Sequence, residues 1–377
     1  MKTAVPRAAV LNTAMVLIAV GVLIVGCSSS PDASSPDTSS GGTAPATVAS
    51  SSTARTDREV TFTAGAVTVH GSLRMPSTAT GSVPAAVLLA GSGPTDRNGN
   101  TRAVQGDIGT LRSLADVLAE HGVASLRYDK LSSGATGLGP YTVANLADIG
   151  YTDFTDEARA ALQYLAGQPG VDTGRLLLLG HSEGALIALS IAAAPASGQP
   201  ALAGIGLLEA PGSRYLDLIS GQLDEALPQL VAAGRLNADE ADTVTEALPD
   251  AISTLRSTGA LPAALPSLLQ QGGLSAVNAH FLYQADQADP VQLAAALPPG
   301  VKVLTTCSQA DHQVPCSEMA KLDAALPAAT LTAVTLTTAD HFLKDEPPGT
   351  NASSIGDLSF SAELPPQLTS WLTTVTG

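Results

Sequence analysis

Five short apolar runs, Ala85 to Ala90, Val123 to Tyr128, Arg175 to Gly180, Gly204 to Leu208 and Val301 to Thr306, constrain the fold of this chain most tightly. They do not alternate apolar with polar residues, so each needs cover on both faces, as in a parallel sheet held between layers of helices. Helical patterns lie between them. Leu111, Leu114, Ala115 and Leu118 recur at three- and four-residue spacing until His121-Gly122 stops them. Ala158, Ala161, Leu162 and Leu165 do the same and end near Gly167 and Pro169. Strand and helix alternate, which implies a mostly parallel α/β sheet with right-handed crossovers and helices on both sides. The stretch "EVTFTAGAVTVHGSLRMP" from residue 59 does alternate, around Gly65, and reads as an antiparallel hairpin with one wet face.

One region interrupts this rhythm. Residues 213–296 read as several Ala- and Leu-rich helices, with prolines in "ALPQL", "ALPDAI" and "GALPAALPSLL" expected at their joints. Such an insertion is expected to form a cap, its many acidic residues solvating an outer face. The folded body is thus expected over residues 59–377.

Two segments precede it. Lys2 and Arg7 lead an apolar run from Ala8 to Val25 that contains no acid, the composition of an export signal over residues 1–26. Ile24-Val25-Gly26-Cys27 resembles the bacterial lipobox, which implies lipid attachment at Cys27 and anchoring on the extracytoplasmic face of the cell membrane. Residues 27–58 are Ser-, Thr-, Pro- and Gly-rich with few large apolar side chains, as expected of a flexible tether. A net charge of −16 argues against nucleic acid as a partner. With Cys27 assigned to lipid, Cys307 and Cys316 remain, and an exported chain can join them as a disulfide. No His or Cys cluster has metal-ligand spacing, so no metal and no cofactor are expected.

The chemistry centres on "LLLLGHSEGALIAL" at 177 to 190. A Gly-x-Ser-x-Gly match is weak alone; at the junction of a strand and a helix it gains weight. A tight turn there needs Gly180 and Gly184, projects Ser182 from the sheet edge, and sets it at a helix N-terminus. A serine hydroxyl needs a base, and the base needs an acid to fix its tautomer. His341, in "TTADHFLKD" after the apolar stretch Leu331 to Leu336, is the best placed of six histidines. The acid should follow the strand at 301 to 306, where Asp311 lies; Glu209 and Asp340 are the alternatives. Acyl transfer further needs N–H donors for an oxyanion. The backbone N–H of Glu183, next after the nucleophile, is one candidate. Ser92, in the glycine-rich "LLAGSGPTDRNGN", carries the other.

Taken together, "AGSGPTDRNGN", "SLRYDKLSSGATG", "GHSEGA", "SQADHQVP" and "ADHFLK" resemble the α/β-hydrolase superfamily, more narrowly dienelactone-hydrolase-like and serine-aminopeptidase-like bacterial hydrolases. The resemblance implies a Ser182, Asp311 and His341 triad with Ser92 and Glu183 forming the oxyanion hole. Many relatives have His-Gly where this chain has Ala90-Gly91, and a second basic residue at the position of Leu131. Asp129 and Lys130 are read as structural, holding the loop after their strand. The implied substrate is a small acyl ester or a peptide. Glu183 or cap acids could serve a peptidase by holding a free amine, and a ligand-binding lipoprotein without turnover is the third reading.

Overall fold

A computed structural model of the chain describes residues 57–77, 81–327, 330–346 and 354–377. The expected signal, Cys27 and almost all of the tether lie outside the described residues.

Eight strands form one sheet in the order β1-β2-β4-β3-β5-β6-β7-β8. β1 (Arg58–Ala64) and β2 (Val67–Arg74) make the expected hairpin, and β2 runs antiparallel to β4 (Ala124–Tyr128). β3 (Val83–Leu89), β5 (Val171–His181), β6 (Leu202–Leu208), β7 (Lys302–Ser308) and β8 (Leu331–Leu336) are parallel to β4. Successive residues of the central strands enter two different cores. Leu176 and Leu178 of β5 face one, and Leu177 and Leu179 the other. That division explains runs without a polar face: both sides of the strand are buried.

Helix α1 (Thr110–Glu120) and the last helix, α10 (Leu364–Thr376), cover one face, and Trp371 of α10 is buried in the core between them and the sheet. Helices α2 (Tyr151–Ala166), α3 (Glu183–Ala193) and α9 (Cys316–Ala325) cover the other. Between β6 and β7 the chain builds the cap from α4 (Tyr215–Ala232), α5 (Ala238–Thr258), α6 (Ser267–Gln271), α7 (Ala279–Gln287) and α8 (Pro290–Ala295). Phe281 of the cap meets Tyr151 and Phe154 of α2 and Tyr215 of α4 edge to face, with ring centroids 5.5–5.9 Å apart. These contacts seat the cap on the helical layer.

Three expectations need correction. The folded body begins before residue 59: Asp57 pairs with Arg74 and Arg127, and β1 starts at Arg58. Pro228 and Pro249 sit inside α4 and α5 rather than at joints. Both are exposed, so the backbone carbonyls they free can bind water and the helices continue. Finally, Asp286 does not solvate an outer face. It is fully buried and held by Arg214, Arg256 and the Leu216 N–H.

Candidate active site

β5 delivers Ser182 to the junction with α3 in a strained backbone conformation, φ 55° and ψ −122°. A non-glycine residue adopts a positive φ only where its surroundings enforce it. Here they do. A Cβ at Gly180 would lie 2.1 Å from the Gly184 carbonyl oxygen, and one at Gly184 would lie 2.4 Å from that of Leu89. The two glycines therefore let α3 start close against β5 and β3. The Ser182 N–H donates to the Leu208 carbonyl at 2.9 Å, anchoring the turn to β6.

The loop after β3 crosses this turn. A Cβ at Gly91 would come within 3.3 Å of Ser182 Cβ. The Ser92 N–H, half-buried in this loop, has no protein acceptor among the described residues. The Glu183 N–H opens α3, where the first helical N–H groups have no acceptor within the helix.

Asp311 follows β7 and His341 follows β8, and the structure brings them together. His341 Nδ1–H donates to Asp311 Oδ2 at 2.7 Å, with both side chains buried. Asp311 Oδ1 accepts from the N–H groups of Gln313 and Val314 at 2.7 and 3.0 Å. Burial disfavours the Asp311 carboxylate, but His341 and these amides outweigh it and hold the pKa below the ordinary value. Burial likewise opposes a charged His341 ring, and the Asp311 charge and hydrogen bond overcome it and raise the pKa. The pair is suited to accept a proton at Nε2 and hold it.

Cys307 and Cys316 are joined, S–S 2.09 Å, and bracket the Asp311 loop. The alternative acids lie elsewhere. Asp340 turns back on its own loop, accepting from the N–H groups of Phe342 and Lys344. Glu209 is buried behind Asp311, accepts from Thr306 Oγ1 and Ser308 N–H, and hydrogen-bonds the Asp311 carboxyl. Burial and the Asp311 charge push its pKa well above the carboxylate range, so protonated Glu209 is the donor to Asp311.

No protein-family model matches the sequence, and no curated protein does. Solved structures do match. An esterase of Pyrococcus furiosus superposes with a TM-score of 0.53 at 14% identity, covering 88% of this chain and 97% of the esterase. A proline iminopeptidase of Mycobacterium smegmatis gives 0.52 at 15%, covering 85% and 99%. A 2,6-dihydroxy-pseudo-oxynicotine hydrolase gives 0.51 at 13%, covering 85% and 68%. The chain has the α/β-hydrolase fold.

On this α/β-hydrolase fold, three side chains beside the elbow make bonds that the sequence does not reveal. The His181 ring is buried inside the elbow and donates from Nε2 to the His341 carbonyl at 2.6 Å. Burial and the nearby His341 lower its pKa to about 3, so the ring stays neutral and serves as a fixed donor. Tyr215 of the cap donates to Glu183 Oε2 at 2.8 Å. Lys130 does more than hold the loop after its own strand: its Nζ reaches the Gly91 carbonyl at 2.6 Å and Glu183 Oε1 at 3.1 Å. Asp129 does act as expected, binding the backbone N–H groups of Arg97 and Ala135 and the Arg97 guanidinium. The bonds that His181, Tyr215 and Lys130 make are not legible in the local sequence, because each partner lies 32 or more residues away.

Apart from the elbow, a cavity of about 400 Å³ opens in the cap, lined by residues that include Leu261, Pro262, Leu265, Leu274 and His280.

Proposed function

We propose that this chain is a serine hydrolase that cleaves carboxylic esters through an acyl-enzyme, exported and tethered to the membrane through lipidated Cys27. The observation that carries the reading is the buried His341–Asp311 pair beside a strained Ser182 at a helix N-terminus. Ser182 Oγ attacks the ester carbonyl while His341 Nε2 takes its proton. The oxyanion accepts from the N–H groups of Ser92 and Glu183. Collapse expels the alcohol, which leaves with the proton from His341. A water then gives its proton to His341 and attacks the acyl-enzyme, and the carboxylic acid leaves as Ser182 recovers the proton.

The same groups could serve a peptidase. An aminopeptidase needs a free carboxylate for the substrate amine, and Glu183 is a poor one: Lys130 and Tyr215 already bind its two oxygens. That favours esters. A binding protein without turnover would have no use for a strained serine elbow together with an imidazole whose pKa a buried carboxylate raises.

The test is turnover of p-nitrophenyl esters of several chain lengths beside aminoacyl-p-nitroanilides, with Ser182→Ala as control. Ester turnover and fluorophosphonate labelling, both lost in the variant, are expected. A wild-type protein that is neither labelled nor active would overturn the reading. Mass spectrometry of the mature N-terminus tests the anchor, and an unmodified Cys27 would refute it.

A further inference from the structure

We propose that Lys130 is a positioning residue for the oxyanion hole, aiming the Ser92 N–H by gripping the opposite edge of the same peptide group. The inference rests on reading this site as one of acyl transfer. A peptide group is planar, and in its trans form the carbonyl and the following N–H point in opposite directions. The Gly91 carbonyl and the Ser92 N–H are the two edges of one such plane. Lys130 Nζ donates to the Gly91 oxygen at 2.6 Å, so the Ser92 N–H must face the other way. This peptide group also begins close to the nucleophile, since a Cβ on Gly91 would lie 3.3 Å from Ser182 Cβ.

An anchor is needed here because the chain alone supplies little stiffness. Gly91 and Gly93 flank Ser92, and Gly93 has φ 69°, a conformation that glycine enters freely and leaves as freely. Without a partner for its carbonyl, the Gly91–Ser92 plane can rotate and carry the donor off target.

Lys130 suits the task for three reasons. Its side chain is 6% exposed, and its ammonium sits 5.3 Å from the centre of the Phe154 ring, so it cannot wander into water. It is charged, and a charged donor draws electron density toward the Gly91 oxygen, making the Ser92 N–H a stronger donor. Its second bond goes to Glu183 Oε1 at 3.1 Å, and Glu183 supplies the other candidate donor through its own N–H. One ammonium therefore ties together the two residues whose backbones must converge on a single oxygen. Tyr215 of the cap closes the other side of Glu183.

The experiment compares wild type with Lys130→Met and with Lys130→Met/Glu183→Gln. The double variant leaves no uncompensated buried charge, so it keeps the test open if the single one fails to fold; circular-dichroism melting reports folding. Turnover of a p-nitrophenyl ester is measured beside inhibition by two compounds of one skeleton. One is a trifluoromethyl ketone, which adds Ser182 and forms an oxyanion; the other is the matching secondary alcohol, which forms none. Removing one oxyanion donor costs roughly a hundred- to a thousandfold in rate. The expected result is a loss of about a hundredfold in kcat, KM within about threefold, a comparable loss for the ketone, and unchanged affinity for the alcohol. Folded variants with kcat within threefold of wild type would overturn the inference, as would equal losses for ketone and alcohol, the mark of a merely structural lysine. A wild type without activity or labelling would instead overturn the hydrolase reading beneath it.

Discussion

Replacing Asp311 by Asn tests the catalytic reading at its most determined point. Asp311 Oδ1 accepts from two backbone N–H groups, Oδ2 accepts from His341 Nδ1–H, and the Glu209 carboxyl adds a further hydrogen bond. An asparagine must put its carbonyl oxygen in one place and its amino group in the other. With the oxygen facing the two amides, the amino group faces Nδ1, and the imidazole must carry its proton on Nε2, where it cannot accept one from Ser182. The opposite flip restores the productive tautomer but sets the amino group against two buried donors. Each buried donor left without an acceptor costs about 1–3 kcal/mol, so the unproductive arrangement is favoured by about 2–6 kcal/mol. That is a factor of about 30 to 10⁴, and loss of the charge opposite the imidazolium adds to it. We expect kcat to fall about 10³- to 10⁴-fold. KM should stay within a few-fold, because the Asp311 side chain is fully buried beneath His341 and touches no substrate. The assay is steady-state ester hydrolysis, checked by the rate of fluorophosphonate labelling. Glu209→Gln is the paired control: Glu209 holds a proton and only supports Asp311, so its variant should stay within about fivefold of wild type. A folded Asp311→Asn protein within tenfold of wild type, or a larger loss in Glu209→Gln than in Asp311→Asn, would refute the assignment of the acid.

Other consequences are as concrete. Gly184→Ala drives a Cβ into the backbone of β3, 2.4 Å from the Leu89 oxygen, and should abolish labelling of Ser182; Gly221→Ala in α4 meets nothing within 4 Å and should raise stability by about 0.5–1 kcal/mol. Labelling that survives in Gly184→Ala would mean the turn is not the constraint. Glu157 is buried beneath the Lys130 loop, accepts from the Leu131 N–H, and is pushed by burial to a pKa of about 8 from 4.5. Because the folded state binds this proton more tightly than the unfolded one, the stability associated with Glu157 is lost as pH rises from about 4.5 to about 8. Glu157→Gln should therefore gain on wild type by up to about 5 kcal/mol at pH 8, with the gap closing by pH 5; parallel denaturation curves at the two pH values would contradict this. Reducing the Cys307–Cys316 bridge opens a short loop worth about 2–3 kcal/mol, which should lower Tm by several degrees and weaken turnover through the Asp311 loop. Tm and activity unchanged in dithiothreitol, with the thiols shown free, would rule that out.

The α/β layering was legible in the sequence because burial on both faces leaves a local signature. Residues such as Leu176 to Leu179 must all be apolar if alternate ones enter opposite cores. Ser182 was legible for a similar reason: crowding at the elbow restricts Gly180 and Gly184 to glycine, and both lie within two residues of the serine. The order of Asp311 and His341 along the chain was a weaker guide: it put Asp311 first but left Glu209 and Asp340 as alternatives. Only the tertiary structure separated them, because the choice depends on which carboxylate reaches Nδ1 across loops from two different strands. The same holds for Lys130. Its neighbours along the chain describe a loop after β4, while its hydrogen bonds lie 39 and 53 residues away. Periodicity and steric demand act between near neighbours and are therefore written into the sequence. The direction of a long polar side chain is decided by which distant groups the fold leaves within its reach.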